Sequence, residues 1–304
     1  MKRKTIVSKN GTEREFIFFE VEFNHYRVTG NSTANEVLDR YEPATCECVL
    51  YLPKTYTEDG DETPLILAFH GAGGRVCYEI DKVGGLHHVR ACMDAGYAVL
   101  DVNGSELHGL TMGCPEHLFA AYKAYRYAIK HFNLSDRVLI SGGSMGGHVA
   151  MNFANTFPSI VLAIGVVYPR LNMEGVQIGD HYCIGTWDKR KSKKDGSPST
   201  HDRLVEIYRF PTDEWCEENT IGFNPYKIRS FVNQDGERVV IPPCPIKIWQ
   251  GLDDMTVDPA MVQEYVKSVR RSGSYIELHL MDGVTHKVND VMQQELLLWF
   301  DRFI

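Results

Sequence analysis

Several things are missing from this 304-residue chain, and each absence removes a class of protein. No stretch approaches the roughly 20 consecutive apolar residues that a membrane span requires. The most apolar N-terminal run, FIFFEVEF, is broken by Glu20. The basic start MKRKTIV leads into no apolar segment of the kind a secretory leader needs, so the expected location is cytoplasmic, with no membrane partner. Positive charge is also scarce: 32 Lys and Arg stand against 40 Asp and Glu, for a net charge of −8. A grip on phosphate backbone needs clustered Lys and Arg, so no nucleic-acid partner is expected. The one dense basic run, KRKSKK at 189–194, lies among Gly, Ser, Pro and Asp and reads as a solvated loop.

The eight cysteines include no C-x-x-C pair. Cys46 and Cys48 alternate within a strand-like segment, share a face, and read as reduced, packed thiols rather than part of a disulfide framework. No histidine pair has the H-x-x-x-H or H-E-x-x-H spacing of a metal site, so no metal and no cofactor is expected. No repeat recurs at 20–50 residues, which excludes solenoids and propellers within this sequence.

What is present is alternation. Apolar strands predicted at 46–53, 64–70, 97–103, 137–142, 159–169, 245–251 and 275–281 are separated by helices predicted at 87–96, 115–132, 145–157, 259–273 and 287–303. Runs such as PLILAF are continuously apolar, as in strands buried on both faces. Strands alternating with helices imply an α/β fold with a mostly parallel central sheet flanked by helices. The segment TEREFIFFEVEFNHYRV reads as antiparallel strands added at one edge. From about 170 to 244 the pattern breaks into an irregular, charged and aromatic stretch. Such a length is more than a connection needs and suits a lid or cap insertion. The expected organisation is one domain over 1–304 with residues 170–244 inserted in it.

The motif that carries chemistry is Gly142-Gly143-Ser144-Met145-Gly146, a G-x-S-x-G between a predicted strand and a predicted helix. On so sharp a turn the flanking backbones come too close for side chains two positions either side of the serine. The turn lifts the hydroxyl from the sheet, and the helix N-terminus sets N–H groups beside it. Ser141 fits less well, because Leu139 stands where the first glycine is needed. A serine hydroxyl needs a base, and the base needs a carboxylate to orient it. Asp254, in WQGLDDMTVDP, follows one predicted strand, with Asp253 as the alternative. His286, in MDGVTHKV, follows the last. Asp258 reads as the cap of the helix beginning at Pro259, and Asp282 as a turn residue with Gly283. The other histidines read as structural or exposed, with His148 turned away from the site. The HGAGG loop at 70–74 follows a strand, in the place that supplies a second oxyanion donor. Met145 N–H is the expected first donor and Ala72 N–H the second, with Gly71 as alternative.

LAFHGAGG, GGSMGG, QGLDDMTV and DGVTH together resemble the α/β-hydrolase fold serine esterases. More narrowly, with LYLPKTY and NLSDRVLISGGSMGG, the chain is similar to the dienelactone-hydrolase and prolyl-oligopeptidase-like group and to feruloyl and acetyl xylan esterases. The resemblance spans about residues 46–169 and 245–304 and implies Ser144, Asp254 and His286 as a catalytic triad. It also implies a cap between the fold's sixth and seventh strands, where the insertion falls. The expected activity is hydrolysis of a small-molecule or oligosaccharide ester. Trp187, Trp215 and Tyr168 are candidates to stack on a sugar ring, Arg170 to contact a hydroxyl or carboxylate, and 103–113 to border the pocket. A peptidase on the same fold is the alternative. It is disfavoured at this level because only about 45 residues, without repeats, precede the core. A non-catalytic binding protein on this fold is the third reading.

Overall fold

In a computed structural model describing residues 1–7, 11–26, 41–74, 76, 87–103, 111–183, 185 and 224–304, the apolar runs become strands of a nine-stranded sheet. In chain order the strands are β1 (Lys2–Val7), β2 (Glu13–Tyr26), β3 (Tyr41–Tyr51), β4 (Thr63–Phe69), β5 (Ala98–Val102), β6 (Leu134–Gly143) and β7 (Val161–Val167). Two small hairpins follow, β8 (Val176–Ile178) with β9 (His181–Cys183), and β10 (Ser230–Val232) with β11 (Arg238–Val240). The main sheet then resumes with β12 (Ile246–Gly251) and β13 (Ile276–Met281). Its order is β1-β2-β3-β5-β4-β6-β7-β12-β13. From β5 to β13 all neighbours are parallel, while β1, β2 and β3 add antiparallel pairs at one edge.

The two faces of the sheet carry separate cores, because side chains along a strand alternate between faces. Ile17, Phe19, Val21 and Phe23 of β2 face one side, together with Leu65, Leu67, Leu100 and Ile140. That side is covered by α2 (Pro115–His131), α3 (Met145–Thr156) and α4 (Pro259–Arg271). Phe19 stacks on Tyr127 of α2 with centroids 4.6 Å apart, which fastens the antiparallel edge to the helical layer. The opposite face buries Ile66, Val99, Leu139 and Trp249 under α1 (Arg90–Asp94) and α5 (Asp290–Phe300). Cys46 and Cys48 lie on the first face as free, buried thiols. Pro115 opens α2, where its missing N–H costs nothing, and Asp258 caps α4 by accepting from Ala260 N–H at 2.9 Å.

The segment expected to hold antiparallel strands is a single long strand, β2, its outer partner β1 comes from the basic start of the chain, and β3 starts five residues before the predicted strand. β1 is largely exposed and carries Lys2, Arg3 and Lys4, charges that discourage further edge pairing. Within the predicted insertion the described residues include both small hairpins, and β11 packs on α4.

α5 closes the second face by way of Leu296 and Trp299. Leu296 is fully buried against Gly165 of β7, where a Cβ would lie 2.3 Å from its Cδ1. Trp299 donates its indole N–H to the Ile164 carbonyl at 3.0 Å. Leu296→Ala is therefore expected to lower unfolding free energy by about 2–5 kcal/mol. A change in urea midpoint equivalent to under about 1 kcal/mol would show that α5 contributes little to this core.

Candidate active site

Three loops leave the same, C-terminal edge of the parallel strands: residues 70–74 after β4, the acid loop after β12, and the loop ending at Val288 after β13. The turn between β6 and α3 emerges beside them, since β4 and β6 are neighbours. Ligands in open α/β sheets bind at this edge, outside the carboxyl ends of the strands.

Ser144 sits at that turn with φ +57° and ψ −118°, a backbone conformation that a non-glycine residue adopts only when its surroundings impose it. The surroundings here are specific. A Cβ at Gly142 would lie 2.3 Å from the Gly146 carbonyl oxygen, and one at Gly146 only 2.0 Å from the Phe69 carbonyl oxygen. Only glycine permits these approaches, which explains the G-x-S-x-G spacing. Ser144 N–H donates to the Val167 carbonyl at 3.1 Å, and the Ser144 carbonyl accepts from Gly147 N–H and Arg170 N–H, each at 3.1 Å. Ser141, by contrast, is buried and spends its hydroxyl on the Gly165 carbonyl at 2.8 Å.

The 70–74 loop lies alongside this turn: a Cβ at Gly71 would be 3.6 Å from the Gly143 carbonyl oxygen and 3.8 Å from Ser144 Cβ. Gly74 N–H closes on the Gly71 carbonyl at 3.0 Å, and Gly73 has φ +79°, as the third residue of a type II turn requires. Ala72 is exposed at the tip of that turn. Met145 begins α3, so its N–H has no acceptor within the helix. Beneath the loop, His70 is fully buried with Nδ1 3.0 Å from the Gly71 carbonyl oxygen; burial lowers its pKa and favours the neutral ring. His117 of α2 lies beneath it in turn, its Nδ1 2.5 Å from Thr111 Oγ1.

Asp254 is buried, and its two oxygens have separate duties. Oδ1 accepts from the N–H groups of Thr256 and Val257 at 2.8 and 2.9 Å. Oδ2 faces His286 Nδ1 at 2.7 Å and Gln250 Nε2 at 3.3 Å. Burial alone raises the Asp254 pKa, but the hydrogen bonds from His286, Val257 and Thr256 outweigh it and hold the carboxyl below its usual range. Asp253, the alternative, is exposed. His286 is a quarter exposed, and with Nδ1 committed to Asp254 its Nε2 is the nitrogen left for proton exchange.

Tyr168 and Arg170, the candidates to contact substrate, lie among the loops that carry Ser144, Asp254 and His286. The Tyr168 ring lies 4.2 Å from the His286 ring, centroid to centroid, and a Cβ at Gly143 would touch it at 3.2 Å. It is buried between the base and the serine turn, and burial, with the Asp254 charge second, pushes its phenol up to about 12. The Arg170 guanidinium donates to the Thr256 carbonyl in the acid loop at 2.8 Å, while its own carbonyl faces His148 Nδ1 at 2.9 Å. Trp187 and Trp215, and residues 104–110 of the segment expected to border the pocket, lie outside the described residues. Gln250 is the residue of this network that the sequence did not point to; it sits at the end of β12, and that position is the available signal. Among the described residues, His181, Cys183 and Asp258 are the one group of three side chains arranged to hold a metal, and none belongs to the triad.

The strand order and the parallel core are those of the α/β-hydrolase fold, and the chain has that fold. Three solved structures illustrate the likeness. An acylaminoacyl peptidase from Pyrococcus horikoshii superposes with a TM-score of 0.58 at 12% identity, covering 94% of this chain and 42% of its own. Est1E from Butyrivibrio proteoclasticus gives 0.54 at 15% identity, over 85% of this chain and 94% of its own. The thermophilic esterase Est2 from the Planctomycetes species Thermogutta terrifontis gives 0.53 at 17% identity, over 85% and 86%. The chain thus spans less than half the length of the peptidase. No family profile matches the sequence, and no curated protein sequence is similar to it.

The depressed Asp254 pKa has a consequence for stability. A carboxylate whose folded pKa lies below its unfolded value of about 3.9 stabilises the fold above that value and loses the contribution as pH falls through the folded pKa. The urea midpoint of wild type should therefore exceed that of Asp254→Asn near pH 6, and the gap should narrow as pH falls below about 3.9. A gap that stays constant over that range would mean the carboxylate's charge is not what the network stabilises.

Proposed function

We propose that this chain is a serine hydrolase that cleaves carboxylic esters through an acyl-enzyme. The observation that carries the reading is the hydrogen-bonded pair of buried Asp254 and partly exposed His286 at the sheet edge where Ser144 is held in a strained strand-to-helix turn. Ser144 Oγ attacks the acyl carbon while His286 Nε2 takes its proton. Asp254 keeps the ring's Nδ1–H oriented and offsets the positive charge that forms. The N–H groups of Met145 and Ala72 receive the developing oxyanion. His286 then returns the proton to the leaving alcohol, and water, activated by the same histidine, releases the acid. Neither a metal nor a cofactor enters these steps.

For the substrate, acyl esters of carbohydrates or other small esters fit best. Support comes from Est1E and the esterase Est2, which match this chain over most of their own lengths. A peptidase reading has its own support, since the acylaminoacyl peptidase and a putative dipeptidyl aminopeptidase from Bacteroides ovatus match over nearly the whole of this chain. The triad serves both reactions, so the leaving group decides between them.

Ser144→Ala should leave thermal unfolding nearly unchanged and lower hydrolysis of short aryl esters by about 10⁴- to 10⁶-fold. Turnover equal to wild type would sink the mechanism. A fluorophosphonate probe should label wild type and not the variant, and an unlabelled wild type would favour a non-catalytic role. Acetylated and feruloylated oligosaccharides, simple alkyl esters and aminoacyl amides, assayed side by side, separate esterase from peptidase by the ratio of their kcat/KM values.

A further inference from the structure

We propose that His181, Cys183 and Asp258 bind a divalent transition-metal ion of the zinc class, which fastens the β8–β9 hairpin to the head of α4. The inference is independent of the hydrolase reading. It starts from local geometry: His181 and Cys183 are two apart on β9, so their side chains leave the same face of the strand. Tyr182 between them is 51% exposed on the other side. The hairpin that presents them is tight, with Ile178 paired to His181 across Gly179 and Asp180 and Gly179 at φ +57°, as a two-residue hairpin turn requires.

The third donor comes from a different part of the chain. Asp258 caps α4 with Oδ1, which accepts from Ala260 N–H, and this leaves Oδ2 toward the hairpin, 2.6 Å from His181 Nε2. One ligand atom from each of the three residues lies within 4.8 Å of the other two. A tetrahedral zinc ion sets its ligand atoms about 3.3–3.7 Å apart, so binding needs adjustments of at most about 1.5 Å. His181, whose side chain is 60% exposed, is free to supply most of that movement.

The donor chemistry selects the ion. A thiolate sulfur excludes magnesium and calcium, and the set of one sulfur, one imidazole nitrogen and one carboxylate oxygen suits zinc, or cobalt as its substitute. Binding displaces the Cys183 proton to solvent. Thiolate and carboxylate then balance the two positive charges, so a neutral cluster forms around a sulfur that is otherwise buried. Three protein ligands leave one position for water. The alternative is a hydrogen-bonded trio with an exposed His–Asp pair, which binds no ion.

The test uses the full chain, freed of any purification tag and stripped with chelator. Titration with cobalt(II) should produce a near-ultraviolet thiolate-to-metal charge-transfer band that saturates at one ion per chain. Cys183→Ser should abolish the band, and His181→Ala should weaken binding by more than about 100-fold, since even outer contacts are worth 10- to 100-fold. Zinc should raise the Tm of wild type but not of Cys183→Ser, and equal Tm values in chelator would show that the variant folds. His181→Ala, at an exposed position, gives a second reading should the cysteine variant fold poorly. A wild type without the band, or a variant with an unchanged one, overturns the proposal. Ser144 labelling tests the hydrolase reading separately, so the two can fail independently.

Discussion

The close approach of α3 to the end of β4 is the contact on which the rest of the site depends. Gly146 rests against the Phe69 carbonyl, Gly142 against the Gly146 carbonyl, and Gly147 against Pro169. These contacts force the chain to turn from strand to helix within one residue, and that residue is Ser144. Positive φ at a non-glycine residue costs on the order of 1–3 kcal/mol and persists only when its surroundings over-determine it. Here the Ser144 peptide units are held on both sides, by Val167 before the helix and by Gly147, His148 and Arg170 after it. The strain is local, and the remainder of the sheet is regular enough to bear it.

The acid and the base reach the same place by another route. Asp254 and His286 stand on loops after two adjacent parallel strands, whose register fixes the distance between the loop bases. What joins these loops to the serine turn is the short segment Tyr168-Pro169-Arg170 that leaves β7. Tyr168 N–H donates to the Trp249 carbonyl, and its ring lies between His286 and Gly143. Pro169 packs on Gly147, and Arg170 bonds the serine turn with its main chain and the acid loop with its side chain. Three consecutive residues thus touch the serine turn, the loop that carries Asp254, and His286. Tyr168 itself adopts φ +38°, a second strained backbone held between strand and site.

Much of this was legible before any coordinates. Each predicted strand of the parallel core appears within a few residues of its expected bounds, because a strand buried on both faces reads as an unbroken apolar run. The serine turn was legible because glycine spacing encodes backbone contact, and Asp254 and His286 because the strands before them point to one edge. The exposure of Asp253 and burial of Asp254 were not, since adjacent loop residues differ only in the turn that carries them. Tyr168 and Arg170 were expected to meet substrate. A side chain just past a strand end can face the pocket or fold back on neighbouring loops, and composition does not distinguish these. β1 was hidden for a similar reason: KRKTIV is too polar to stand out, since an edge strand need not be apolar.

The shared machinery also limits what the triad can specify. An ester and an amide pass through the same tetrahedral intermediate, and in the hydrolase mechanism proposed above His286 would return a proton to either leaving group. Nothing about Ser144, Asp254 or the two N–H donors favours alkoxide over amine. On that reading, selectivity must come from groups that contact the leaving group or the far end of the acyl chain. Tyr168, Pro169 and Arg170 hold the serine turn and the loops that carry Asp254 and His286 together, and so set the frame within which such groups would act.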